Sequence, residues 1–116
     1  MKIRIKGNSL RYRLTQSDIA TIGAAGFLEE KTTFANKTFY YRLESTNDDR
    51  ISADFVGDKI IVKMPQTMID EWLTTERVTF ADESGTVSIL LEKDFACLDN
   101  TDEDQSDNYP NPNKTC

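Results

Sequence analysis

A chain of 116 residues, 38% of them apolar and with a formal net charge of −6, has apolar side chains enough for one core and not for two. The negative balance argues against the whole molecule being drawn to nucleic acid or to an anionic membrane. The absence of histidine removes the commonest general base, the commonest zinc ligand and every Ser-His or Cys-His nucleophile pair.

Lys2, Arg4 and Lys6 alternate with Ile3 and Ile5, the period of a half-buried strand. Charges at these positions also interrupt the apolar core that a signal peptide needs. The longest apolar runs, such as Ile60-Ile61-Val62 and Ile89-Leu90-Leu91, are too short to cross a bilayer, so the chain reads as soluble and cytoplasmic with no membrane partner. After a break at Gly7-Asn8-Ser9, Leu10, Tyr12 and Leu14 take one face of a second strand and Arg11 and Arg13 the other.

Thr15 and Asp18 form a capping-box pattern with Asp in place of Glu, which predicts a short helix from about Gln16, with Ile19 and Ile22 as its apolar edge and Gly23 or Gly26 as its end. Strands are expected over Phe27–Thr33 and Thr38–Glu44, with Phe39, Tyr41 and Leu43 inward, and then a polar loop from Ser45 to Asp49. Ile51, Ala53 and Phe55 alternate with Ser52 and Asp54. Gly57-Asp58 is a two-residue hairpin signal, and Ile60, Val62 and Met64 return. Pro65 suits the first turn of a helix, and Met68, Ile69, Trp72 and Leu73 recur at helical spacing before Thr74 and Thr75 end it. Val78 and Phe80 begin a strand, Ser84-Gly85 turns it, and Val87, Ile89 and Leu91 carry its partner. Short turns between consecutive strands predict antiparallel pairing. The expected fold is α+β: a curved, mostly antiparallel β-meander or half-open barrel with two short helices over residues 1–98. No internal repeat is evident.

Beyond Cys97 the composition changes. Residues 99–116 form an acidic tail with Asp99, Asp102, Glu103, Asp104 and Asp107 crowded together. Tyr109 supplies an aromatic anchor and Pro110 and Pro112 stiffen the chain, so the tail is expected to pack back on the domain with its carboxylates near Lys2, Arg4, Lys6, Arg11 or Arg13. Exposed pairs contribute well under ~1 kcal/mol each, so the ring and the prolines must carry the docking.

Met1 to Arg11 followed by Leu14-Thr15-Gln16, Trp72 in a short helix, Glu92 to Leu98, and Glu103 to Asp107 with Tyr109-Pro110-Asn111-Pro112 resemble a family of small bacterial proteins without an assigned function. The resemblance spans nearly the whole chain. It implies a bacterial source and a tail native to the protein, and it carries over no catalytic or binding residues.

Two clusters are candidate sites. Lys2, Arg4, Lys6, Arg11 and Arg13 could bind phosphate, RNA or an acidic partner. Nucleic acid is disfavoured, because only Tyr40 offers an outward stacking platform. A sheet closing around these residues would make an anion tunnel, joined by Glu29, Glu30 and Lys31. Cys97 and Cys116 with Asp102, Asp104 and Asp107 are metal or disulfide candidates. They depart from four-ligand zinc sets and lack the glycine and bidentate glutamate of a calcium loop. A Cys97–Cys116 bond would add about 3 kcal/mol by chain entropy, but a reducing cytosol opposes it. Trp72, Met68 and Met64 read as core packing before a ligand pocket.

The sequence therefore points to a binding module for a protein partner or an anionic ligand, without catalytic residues or cofactor. The alternative is a small metal- or phosphate-dependent enzyme using the basic strands and the Cys-containing tail.

Overall fold

The period-two and period-3.6 segments become eight strands and two helices in a computed structural model that describes residues 1–95 and 106–110. The first half holds β1 (Lys2–Lys6), β2 (Ser9–Leu14), α1 (Gln16–Ala25), β3 (Phe27–Thr33) and β4 (Thr38–Thr46). The second holds β5 (Ser52–Val56), β6 (Lys59–Pro65), α2 (Gln66–Thr74), β7 (Thr79–Asp82) and β8 (Ser88–Lys93). The capping box forms as expected: the Asp18 amide donates to Thr15 Oγ1 at 3.3 Å and the Thr15 amide to Asp18 Oδ2 at 3.0 Å. Gly26, at φ 83°, closes α1 by donating its amide to the Ile22 carbonyl at 2.9 Å. Pro65 ends β6 instead of opening the helix, which starts at Gln66.

The α+β class holds, but the meander does not. Four antiparallel hairpins, β1–β2, β3–β4, β5–β6 and β7–β8, assemble into two open four-stranded sheets ordered β1-β2-β8-β7 and β3-β4-β6-β5. Each sheet is mixed, because its two hairpins join through a parallel pair. β2 runs alongside β8 from Ser9 opposite Ser88 to Leu14 opposite Lys93. β4 runs alongside β6 from Tyr40 opposite Lys59 to Thr46 opposite Pro65. Neither sheet closes on itself, so no tunnel forms among the described residues. Strand periodicity shows which face of a strand is buried, not which strand lies beside it, so the parallel seams left no trace in the pattern.

The second half repeats the first. A shift of 50 residues carries Lys2, Ser9 and Gln16 onto Ser52, Lys59 and Gln66, the first residues of equivalent elements. Gly7 and Gly57 turn equivalent hairpins at φ 55° and 60°. Exchanging β1 with β5, β2 with β6, β4 with β8 and β3 with β7 converts one sheet order into the other, so the topology has an approximate twofold axis.

One core draws on both sheets and both helices. Leu10, Tyr12 and Leu14 of β2, Leu43 of β4, Val62 and Met64 of β6, and Ile89 and Leu91 of β8 meet Ile19, Ile22, Ile69 and Trp72 of the helices. Trp72 and Met64 are therefore core, with Met68 packed against them. Trp72 Nε1 donates to the Val78 carbonyl at 3.2 Å, and its ring meets Phe80 edge-on at 5.7 Å. Tyr12 ties the sheets together by donating its hydroxyl to the Arg42 carbonyl at 3.2 Å, and burial pushes its phenol pKa up. The helices approach closely at Gly23, where a Cβ would lie 2.7 Å from Leu73 Cδ1.

Gly26→Ala is expected to cost about 1 kcal/mol, since alanine resists positive φ. Urea unfolding followed by Trp72 fluorescence measures it, and an unchanged midpoint would refute this account of the α1 terminus.

Candidate functional site

The antiparallel register of the first hairpin sets Lys2 opposite Arg13, Arg4 opposite Arg11 and Lys6 opposite Ser9. All five predicted cations therefore share the outward face of one sheet, in two adjacent rows. Like charges directly opposite repel, and the neighbouring strand answers part of that repulsion. Glu92 lies beside Arg13 on β8. Its Oε1 is 2.7 Å from Arg13 Nε and 3.6 Å from Arg11 Nε. Asp94, just past β8 and only 5% exposed, places Oδ2 3.2 Å from Lys2 Nζ. That oxygen makes no aligned hydrogen bond, so this contact is an ion pair by proximity. Arg4 and Lys6 make no ion pair among the described residues.

The edge of this face is fixed by the first residue. The Met1 α-amine lies 2.9 Å from Asp18 Oδ2 and 3.2 Å from Glu30 Oε2, while the Tyr41 hydroxyl donates to the Met1 carbonyl at 3.0 Å. Burial pushes the amine pKa down, but the bonds and charges of Asp18 and Glu30 outweigh it and hold the group above its ordinary 8.0.

Of the three residues proposed to join the cations, Glu30 reaches Met1. Glu29 belongs to the other sheet, where Lys59 Nζ is 2.6 Å and Arg42 Nη1 3.7 Å away. The Lys59 bond, with Arg42 adding to it, holds the Glu29 carboxyl below its usual range. Arg42 also pairs with Glu44 at 2.7 Å and stacks over Phe27 at 4.2 Å. Lys31 sits opposite Tyr40 on that sheet, away from the cation rows. The second sheet thus balances much of its own charge.

Residues 106–110 lie against the start of α1 and the end of β8. The Tyr109 amide donates to the Asp94 carbonyl at 2.9 Å, and its ring is 5.7 Å from Phe95. Lys93, 6% exposed, points Nζ at the Tyr109 ring from 4.9 Å and donates to the Thr75 carbonyl at 3.1 Å. Desolvation lowers the Lys93 pKa. Asp107 sits at the α1 N-terminus and not at an arginine. Its Oδ1 accepts from the Ser17 amide at 3.3 Å, and its carbonyl accepts from the Gln16 amide at 3.2 Å. Bonds from Thr15 and Ser17 hold its carboxyl below the usual range. Cys97, Asp99, Asp102, Glu103, Asp104 and Cys116, and with them the metal and disulfide expectations, lie outside the described residues. Among the described residues no three His, Cys, Asp or Glu side chains group as metal ligands. Nor is any described helix long and apolar enough to cross a membrane.

Sequence reasoning missed Glu92 and Asp94, which offset part of this face, and Lys93, which lies on the buried side of β8 under the Tyr109 ring. Their signal was the alternation from Ser88 to Lys93, which places Glu92 outward but does not say that β2 is its neighbour.

A family of unknown function (DUF7009) matches residues 1–113. The chain belongs to this family. No curated protein and no solved structure matches the chain. Membership of the family assigns no activity to the cationic face, so its reading rests on geometry and charge.

Two outcomes follow from these contacts. Tyr109→Ala should destabilise the protein by about 1–2 kcal/mol through loss of ring packing on Phe95 and Lys93; a urea midpoint equal to wild type would show that the ring does not hold this segment. The Met1 amine, with its folded pKa raised, contributes stability that is full below 8.0 and is lost as pH rises through the folded value. Unfolding curves across that range should therefore fall, and fall less in Glu30→Gln.

Proposed function

We propose that this protein is a binding module whose outward β1–β2 face receives an acidic protein partner. The observation that carries this reading is the unequal use of the five cations. Glu92 occupies Arg11 and Arg13, Asp94 draws Lys2, and Arg4 and Lys6 project from the edge strand without an ion pair among the described residues. In a chain of net charge −6, a face with that local excess is unusual, and it would steer an acidic partner before contact. An open sheet also suits an extended segment better than a small substrate that must be enclosed. The geometry supports binding: among the described residues no acid–base pair accompanies the cations. A cytoplasmic setting and a bacterial source belong to this proposal and rest on the charged opening strand and the family resemblance.

Titration calorimetry with a glutamate-rich peptide and an uncharged control tests it. Binding should weaken as salt rises. Replacing Arg4 and Lys6 together by Ala should weaken it roughly tenfold, or ~1.4 kcal/mol, whereas Arg11→Ala, already offset by Glu92, should cost less. Equal losses at Arg4 and Arg11, or no binding at low salt, would reject the reading.

A further inference from the structure

The largest apolar exposures on the described surface gather at the ends of two edge strands. Phe55 is 69% exposed, Val56 61% and Ile5 60%. Periodicity placed Ile5 and Phe55 on inward faces, and their strands do alternate, but the sheets do not cover them. They border a groove of about 350 Å³ lined chiefly by Ile5, Leu10, Phe39, Phe55, Ile60 and Val87. Ile5 and Phe55 are equivalent under the 50-residue shift, as are Leu10 and Ile60, so the groove draws matching residues from both halves and straddles the approximate twofold axis. On both sides lie strands with an unpaired backbone edge, since β1 and β5 are outermost in their sheets.

The two rims have opposite charge. Arg4 and Lys6 flank Ile5 on β1. Asp54, which also lines the groove, precedes Phe55 on β5. Arg4 and Asp54 are themselves equivalent positions, so the repeat has kept its apolar pair and reversed its charge. A surface with one basic rim, one acidic rim and an apolar floor is complementary to itself after a half-turn.

We infer that a second copy of this chain docks on the groove, about a twofold axis that lays β1 of one protomer over β5 of its partner. Ile5 and Phe55 then pack together at the centre, and Arg4 of each protomer faces the acidic rim of the other. The alternative twofold, which sets β1 over β1, brings arginine against arginine and is disfavoured by like charge. This inference rests on the reading of the β1 face as a surface for acidic partners and names that partner as the β5 edge of another copy.

Sedimentation equilibrium over a concentration series tests it. Wild type should form a dimer that loosens as salt rises. Phe55→Ser should raise the dimer dissociation constant at least roughly tenfold, and Val56→Lys should do the same. Both side chains are largely exposed, and far-UV circular dichroism checks that both variants remain folded. Arg4→Asp and Asp54→Arg should each weaken the dimer, and the double exchange should recover most of the loss, which fixes the axis. A wild type that stays monomeric at every concentration, or a dimer indifferent to Phe55 and to the charge exchange, overturns the inference. If the monomer still binds the glutamate-rich peptide through Arg4 and Lys6, the binding-module reading survives alone. If it binds nothing, both fall.

Discussion

Neither half of this chain can complete a sheet. Each half folds two hairpins around one helix, and each sheet takes one hairpin from either half, sealed by the parallel pairs β2–β8 and β4–β6. The hydrogen bonds at the β2–β8 seam join residues far apart in the chain: Leu10 neighbours Ile89, and Ser9 neighbours Ser88. Their closure entropy must be met before burial of the core repays it. The two halves therefore form one cooperative unit, and the Tyr12 bond to the Arg42 carbonyl, from one sheet to the other, fastens it at a fully buried side chain.

That exchange of hairpins also determines where charge is left over. The second sheet sets Glu29 between Arg42 and Lys59, and Glu44 beside Arg42 on the same strand, so these two cations meet carboxylates of their own sheet. The first sheet receives its carboxylates from the other half of the chain, through Glu92 and Asp94 at the end of β8. β8 pairs with β2, and its two carboxylates lie at its C-terminal end, level with Arg13 and Lys2, so they reach Arg11, Arg13 and Lys2 but not Arg4 or Lys6. The cationic excess on the edge strand follows from strand order together with register.

Local chemistry was legible in the sequence wherever a single residue type decides a conformation. Thr15 with Asp18 starts α1, Gly26 ends it, and Gly57-Asp58 turns β5 into β6. Long-range neighbours were not legible, because alternation in Ser88–Lys93 is the same whether β2 or any other strand lies alongside. The cations of β1 and β2 were found because they alternate. Which of them are neutralised was hidden, because Glu92 is 79 residues from Arg13. Asp107 was expected beside those cations. It lies instead at the α1 N-terminus, where backbone amides compete well for a carboxylate. The repeat is faint in the sequence because its halves share few identities, among them Gly7 and Gly57, Gln16 and Gln66, and Ile19 and Ile69.

Aligned by structure, the halves show where the fold constrains them and where it does not. Apart from Ile19 and Ile69, these buried positions match in burial and not in identity: Tyr12 with Val62, Leu14 with Met64, Ile22 with Trp72, each pair essentially inaccessible. A bulkier side chain in one half sits in a core shared with the other, so volume can shift between halves while total packing is kept. Outward positions have no such coupling, and there Arg4 stands where the repeat has Asp54, and Lys2 where it has Ser52. A scaffold of approximate twofold symmetry thus carries an asymmetric surface. Its β1 edge is basic and its β5 edge acidic, and the core that holds both edges in place is indifferent to that difference.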